Sequence, residues 1–140
     1  MSTRSRIRRS ATLLVLCAAC GGGPRLTNLR CREIPCQDPE DPFKLRLAVD
    51  FSDPSGTMGA GALELLLNGN LVEGVSLADL FNTQNLAANA TQGTLQIDED
   101  LSLSSAQSGT TFAAGVRVRN GQEQESNAPE LDFTLSLGGN

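Results

Sequence analysis

The chain has 140 residues, of which 11 are basic and 16 acidic, and it contains no His, Trp or Tyr; its formal net charge is −5. Residues 1–19 hold four arginines and no carboxylate, so the remaining 7 basic and 16 acidic groups give the rest of the chain a net charge of −9. This acidic body excludes a nucleic-acid binder, because phosphate neutralisation needs clustered Lys and Arg. The lack of His removes the commonest general base and zinc ligand. The length accommodates one domain of about 100 residues.

The N-terminal segment has the pattern of an export signal. Arg4–Arg9 is basic, and an apolar stretch follows from Ala11 to Ala19. This stretch is shorter than the roughly 20 residues that span a bilayer, and a short apolar run behind a positive start is typical of a secretory signal. The sequence therefore predicts that residues 1–19 are a signal peptide.

The end of this segment, Leu16-Cys17-Ala18-Ala19-Cys20, resembles the lipobox of bacterial lipoproteins. The resemblance implies cleavage between Ala19 and Cys20, diacylation of Cys20, and attachment of the mature protein to a membrane of the cell envelope. Cys17 departs from the family, which usually has Leu at that position. The alternative is an ordinary secretory signal that leaves Cys20 as a plain thiol.

Residues 20–42 are predicted to form a flexible tether between the lipid and a folded domain. Gly21, rather than Asp, follows Cys20, a pattern that favours the outer membrane in enterobacterial lipoproteins. A Gly-rich chain has many accessible conformations. The acidic stretch Gln37–Pro42 is interrupted by two prolines, which restrict the backbone and remove hydrogen-bond donors.

The signal and lipid assignments leave two of the four cysteines, Cys31 and Cys36. In an oxidising compartment they are expected to form a disulfide that closes a six-residue loop and stiffens the tether next to the domain. A redox-active pair of the thioredoxin type has two intervening residues, whereas this pair has four. A reduced pair, or a bridge to a partner, remains the alternative.

The remainder, residues 43–140, has the patterning of short strands. Apolar and polar residues alternate from Phe43 to Phe51, as in a strand with one buried face. Asp53–Gly56 has turn chemistry, and Asn68-Gly69 is a strong hairpin signal. Ser76, with Asp79 three residues later, indicates a single helical turn. Further alternating apolar positions are Leu63, Leu65, Leu67, Leu95, Ile97, Leu101, Leu103, Phe112, Ala114, Val116, Val118, Leu131, Phe133, Leu135 and Leu137.

No stretch keeps a helical period for ten residues, so about seven short strands predict an all-β fold, a β-sandwich. The segments 111–121, 125–129 and 131–137 resemble the last hairpin of immunoglobulin-like and fibronectin type III-like modules, and Phe43–Gly56 resembles the opening strand and turn of bacterial immunoglobulin-like repeats. The resemblance implies a single immunoglobulin-like β-sandwich, although the Cys, Trp, Cys core of true immunoglobulin domains is missing.

Calcium is the one metal cofactor that the sequence suggests. Asp50, Asp53, Asp98 and Asp100 carry hard oxygen donors, which Ca²⁺ prefers. A surface site would form if Asp50 and Asp53, at the end of one strand, met Asp98 and Asp100 on a neighbouring turn. The alternative is that all four are solvated carboxylates on an acidic surface.

Catalysis is not expected, because the serines have no His to activate them and no nucleophile-elbow motif is present. The sequence instead predicts a non-catalytic, lipid-anchored module that is structural or binds another envelope protein. The alternative function is a calcium- or ligand-binding adhesion module at the cell surface.

Overall fold

The computed structural model describes residues 22–100 and 108–137. A 3-10 helix at Met58–Ala60 lies between the third and fourth strands. In chain order the other elements are β1 (Arg25–Cys31), β2 (Gln37–Asp38), β3 (Asp41–Ser52), β4 (Ala62–Leu67), β5 (Asn70–Ser76), α1 (Leu77–Thr83), β6 (Gln92–Asp100), β7 (Thr111–Arg119) and β8 (Glu130–Thr134).

The first sheet is built around β3. This strand pairs along most of its length with β6, with Leu47 opposite Ile97. Its other edge pairs with β2 near its start and with β1 near its end. The predicted alternation explains why β3 is central: Leu45, Leu47, Val49 and Phe51 are all buried, and successive side chains of a strand point to opposite faces.

The second sheet has the antiparallel order β5-β4-β7-β8. The predicted hairpin at Asn68-Gly69 joins β4 to β5, and both residues have positive φ, +52° and +84°. Two-residue hairpin loops favour this backbone because its twist matches that of the strands. The two sheets face each other across one apolar core, so the predicted all-β sandwich is confirmed.

Helix α1 covers one side of the core. The Ser76 hydroxyl accepts the N–H of Asp79 at 3.3 Å, which satisfies one of the unpaired amides at a helix start, as the sequence predicted. Leu77 and Phe81 are buried, and the Phe81 ring lies 5.5 Å from that of Phe51. Burial of a large apolar side chain contributes about 1.5–3 kcal/mol, so this short helix is held by packing.

The predicted tether is much too long. Residues 25–31 form β1, residues 37–38 form β2, and β3 begins at Asp41, so the prediction of a flexible tether through Pro42 is wrong for these residues. The physical reason is tertiary: Leu26 is 1% exposed and lies opposite Phe51 in the sheet. The predicted signal peptide, Ala19 and Cys20 lie outside the described residues, as do Leu101 and Leu103.

The sandwich has two ends, which we name by their contents. The N-terminal pole carries residues 22–24 and the turns at 53–56 and 120–125. Gly121 N–H donates to the carbonyl of Thr57, the residue after the first of these turns (2.9 Å). The disulfide pole carries the loop Cys31–Cys36, the Asn68-Gly69 turn and residues 135–137. No helix of the described chain is long and apolar enough to cross a membrane.

Candidate binding surface

The predicted disulfide between Cys31 and Cys36 is present, with the two Cα atoms 4.8 Å apart. The loop that it closes is bound to β3 on both sides: Arg32 N–H donates to the Arg46 carbonyl at 3.1 Å, and Arg46 N–H donates to the Cys36 carbonyl at 2.7 Å. Cys36 is buried. The loop is therefore a firm projection from the first sheet, and not part of a flexible segment.

This loop presents an apolar surface to solvent. Ile34, at its tip, is 87% exposed. A cavity of about 270 Å³ opens beside it, and the apolar part of its lining comprises Ile34, Pro35, Pro39, Pro42 and Leu137. Leu137 is itself 36% exposed. A second cavity of about 200 Å³ is lined by the same loop and by Phe133. The ridge Ile34–Pro35 thus borders both cavities at the disulfide pole.

Gln37 lines the 270 Å³ cavity and links its walls by hydrogen bonds. Its Nε2 donates to the carbonyls of Pro42 (2.6 Å) and Ser136 (2.9 Å), and its Oε1 accepts the Ser136 N–H at 2.9 Å. The side chain is almost fully buried. A buried amide that loses its hydrogen-bond partners lowers the free energy of unfolding by about 1–3 kcal/mol. The three bonds of Gln37 therefore hold the residues after β8 against the segment that follows the disulfide.

Charged groups surround the apolar ridge. Arg46 lies within 4.0 Å of carboxylate oxygens of Asp38 (3.2 Å), Glu33 (3.8 Å) and Asp98 (3.9 Å). The backbone N–H of Glu40 lowers the pKa of Asp38, and Arg46 acts in the same direction. The rim is acidic overall, with a guanidinium held between its carboxylates.

The four carboxylates predicted to bind calcium are not brought together. Asp50 lies opposite Thr94 in the β3–β6 pairing, whereas Asp98 lies opposite Arg46, four residues back along β3, about 13 Å at strand spacing. Asp98 and Asp100 belong to strand β6, so the turn expected there is wrong. Among the described residues no group of three or more His, Cys, Asp or Glu side chains could hold a metal ion.

Each of these carboxylates has its own neighbours. Asp50 accepts from Thr94 Oγ1 (2.8 Å), Asn28 Nδ2 (3.2 Å) and Arg30 (3.2 Å). The hydrogen bond from Thr94, followed by that from Asn28, lowers the pKa of Asp50. Asp98 forms an ion pair with Arg32.

Asp53 is fully buried at the N-terminal pole. Its carboxylate accepts from the Ser55 N–H (3.1 Å), the Ser55 hydroxyl (2.9 Å) and Asn120 Nδ2 (3.2 Å). These bonds tie the turn after β3 to the turn after β7, so Asp53 has a structural role. Asn120 was not singled out from the sequence; its only signal there is its place before Gly121 at the end of a strand.

Two arginines on β7 are engaged by carboxylates. Arg117 Nε donates to Glu64 on the neighbouring strand at 2.7 Å, and these residues lie directly opposite each other. Arg119 pairs with Glu123 and Glu125 on the following turn. Opposite charges facing each other across strands stabilise a sheet, so both arginines neutralise the surface of the second sheet.

Neither a protein family nor a curated protein matches the sequence. Among solved structures, the chain is similar to the fibronectin(III)-like modules of Clostridium thermocellum CbhA, with 12% sequence identity and a TM-score of 0.47. The similarity covers 84% of this chain and 50% of that chain, so this chain spans about half the length of the structure that it matches. Its own strand order and its two packed antiparallel sheets define the class of fold as an all-β sandwich.

Proposed function

We propose that this chain is a non-catalytic, lipid-anchored envelope module that binds another envelope protein through its disulfide pole. The observation that carries the proposal is the exposure of Ile34, 87%, at the tip of a loop closed by a disulfide. A large apolar side chain gains about 1.5–3 kcal/mol when it is removed from water. A partner surface that covers Ile34 would supply this burial.

Two further features support a protein partner at this pole. The described surface has four exposed large apolar side chains, and two of them, Ile34 and Leu137, border the same 270 Å³ cavity. The hydrogen bonds to β3 and the disulfide anchor both ends of the loop and so restrict the backbone of the ridge. A preorganised surface loses less conformational entropy on binding, so even a small apolar contact is favourable here.

The anchor in this proposal is the lipid on Cys20, formed after cleavage between Ala19 and Cys20. Its support is the sequence pattern: basic start, short apolar run and Ala-Ala-Cys. Two or three acyl chains hold a protein firmly on a membrane, whereas one chain binds only marginally. Gly21 favours the outer membrane as the destination.

Substitution of the modified cysteine tests the anchor. Cys20→Ser is expected to leave an unprocessed precursor that takes up no labelled fatty acid, while the matched control Cys17→Ser is processed normally. A Cys20→Ser protein that is cleaved and released to the soluble fraction would contradict lipidation.

A photoreactive residue in place of Ile34 tests the binding surface in intact envelopes, with the same residue in place of Gln122 at the opposite pole as the control. The proposal expects a defined adduct from position 34 that position 122 does not form. The substitution Leu137→Asp, which places a charge in the cavity wall, should lower the yield of the adduct from position 34. Equal adducts from both positions, or none from position 34, would exclude the disulfide pole as the contact.

A further inference from the structure

The structure shortens the link between the proposed lipid and the folded domain to a few glycines. Pro24 is buried, and β1 begins at the next residue, with Arg25 opposite Ser52 in the sheet. Gly23 lies against the turn after β7: a Cβ atom there would be 3.1 Å from Gln124 Cβ. The chain is therefore part of the domain from Gly23 onward.

The backbone of β1 is also held from its outer edge. Leu26 N–H donates to Asn127 Oδ1, and Asn127 Nδ2 donates to the Leu26 carbonyl, both at 2.8 Å. With β3 on one side and Asn127 on the other, β1 cannot peel away to lengthen the link without loss of buried contacts.

The lengths involved restrict how the domain can stand on a membrane. From Cys20 to Gly23 there are three peptide units, which reach about 11 Å at most. From Arg25, β1 runs away from this point to Cys31, opposite Ser52 to Leu47 of β3, which is about 17 Å at strand spacing. The link is too short to fold back along the domain and bring the disulfide loop to the bilayer.

The charges of the two poles favour the same arrangement. At the N-terminal pole Arg119 pairs with Glu123 and Glu125, Arg25 adds a second positive charge, and the Asp53 carboxylate is buried. The disulfide pole and the adjoining end of β6 carry more carboxylates than cations: Arg32, Lys44 and Arg46 stand against Glu33, Asp38, Glu40, Asp41, Asp98, Glu99 and Asp100. An anionic bilayer repels like charges within about a Debye length, 8–10 Å, and so disfavours contact with the acidic end.

We propose, on the basis of the lipid anchor proposed above, that the N-terminal pole lies against the bilayer surface and that the disulfide pole points away from it. The turns at 53–56 and 120–125 face the lipid headgroups. Ile34 and its two cavities are then presented outward, where a protein in the periplasm or outside the cell reaches them without competition from lipid.

The chain contains no Trp, so single tryptophans report position without background. We would express the full chain with Gln122→Trp or Ile34→Trp, purify the mature protein and mix it with phosphatidylethanolamine–phosphatidylglycerol vesicles that contain a dansyl-labelled lipid. Energy transfer from Trp to the dansyl headgroup should be severalfold stronger for Gln122→Trp. Equal transfer from both positions, or stronger transfer from Ile34→Trp, would overturn the orientation.

A lengthened link separates the effect of the tether from that of surface charge. About twelve Gly and Ser residues inserted after Gly22 form a coil with a span of about 20 Å, and the difference between the two reporters should shrink. An unchanged difference would show that the link does not set the orientation. Vesicle flotation reads out the anchor separately: a protein that does not float refutes both proposals, whereas one that floats with equal transfer refutes the orientation alone.

Discussion

The side-chain amide of Gln84 forms two hydrogen bonds with the backbone of Gln96: Nε2 donates to the Gln96 carbonyl at 2.8 Å, and Oε1 accepts the Gln96 N–H at 2.9 Å. Gln96 lies in the middle of β6, whose other edge pairs with β3. The amide thus takes the place of a neighbouring strand, as Asn127 does on β1. Open strand edges are templates for unwanted pairing between chains, and these two amides cover such edges.

Gln84→Ala should therefore weaken the fold and promote self-association. The loss of two hydrogen bonds to a backbone that water can still reach should lower the free energy of unfolding by about 1 kcal/mol. Urea unfolding measures the first effect and sedimentation velocity at increasing concentration the second. Gln122→Ala, on an exposed turn, is the control. A Gln84→Ala protein that matches this control in both measurements would contradict a protective role for the amide.

Asp53→Ala should be more damaging, because it removes a fully buried acceptor and leaves the Asn120 amide short of a partner. We expect a loss of about 2–3 kcal/mol in the free energy of unfolding. Asp53→Asn should also destabilise, since its amide group would face the Asn120 amide donor. Both are compared by urea unfolding with Asp132→Ala, an exposed position on β8. A loss no larger than that of Asp132→Ala would show that the buried network contributes little.

Glu99→Gln should stabilise the protein near neutral pH. Burial raises the pKa of Glu99 above its ordinary 4.5, the carboxylates of Glu73 and Asp98 act in the same direction, and Lys44 opposes them. A carboxyl whose pKa is higher in the folded state costs stability as the pH rises through that pKa. The gain should be about 0.5 kcal/mol, the scale of solvent-screened charge interactions.

The pH dependence separates this effect from a general effect of substitution. At about pH 3 Glu99 is protonated in both the folded and the unfolded state, so the advantage of Glu99→Gln should vanish there. Unfolding by urea at several pH values measures it, with Glu40→Gln as the control on an exposed loop. An advantage that persists unchanged in acid would rule out the charge of Glu99 as its source.

Calcium should leave the thermal midpoint of the described domain unchanged. Asp50 and Asp98 already face Arg30, Arg32 and Arg46, and these guanidinium groups repel a cation that approaches the same oxygens. Thermal unfolding in millimolar calcium, compared with EDTA at matched ionic strength, measures this. A clear rise in the midpoint would contradict the prediction and favour the calcium-binding adhesion module.

The sequence predicted those parts of the fold whose signals are local. Alternation located β3 and β7, and Asn68-Gly69 marked its hairpin. The sequence pattern did not predict β1, because Arg25–Cys31 has only two aliphatic residues and no clear alternation of apolar and polar positions. This strand is stabilised by β3 and by Asn127, which is 101 positions away from Leu26, and such a partner leaves no trace in the local pattern.

The same limit applies to the site. The Cys31–Cys36 disulfide was predicted by counting cysteines, because one pair is left when Cys17 and Cys20 are set aside as parts of the predicted signal and lipid site. Whether Asp50 and Asp98 meet depends on the register of β3 against β6, which places Asp98 opposite Arg46. The cavity beside Ile34 depends on Ser136, which is 99 positions from Gln37. The separation of Asp50 from Asp98 and the cavity beside Ile34 both result from long-range pairing, which composition and local spacing do not reveal.

The bonds between Leu26 and Asn127 also bear on when the protein can fold. Because they join residues 101 positions apart, the outer edge of the first strand is completed only once the chain as far as Asn127 is available. Closing such long loops costs entropy before any contact repays it, so folds rich in distant pairings form slowly. The first strand therefore depends on a loop closure that spans most of the sandwich, so its outer hydrogen bonds should be among the slower contacts to form.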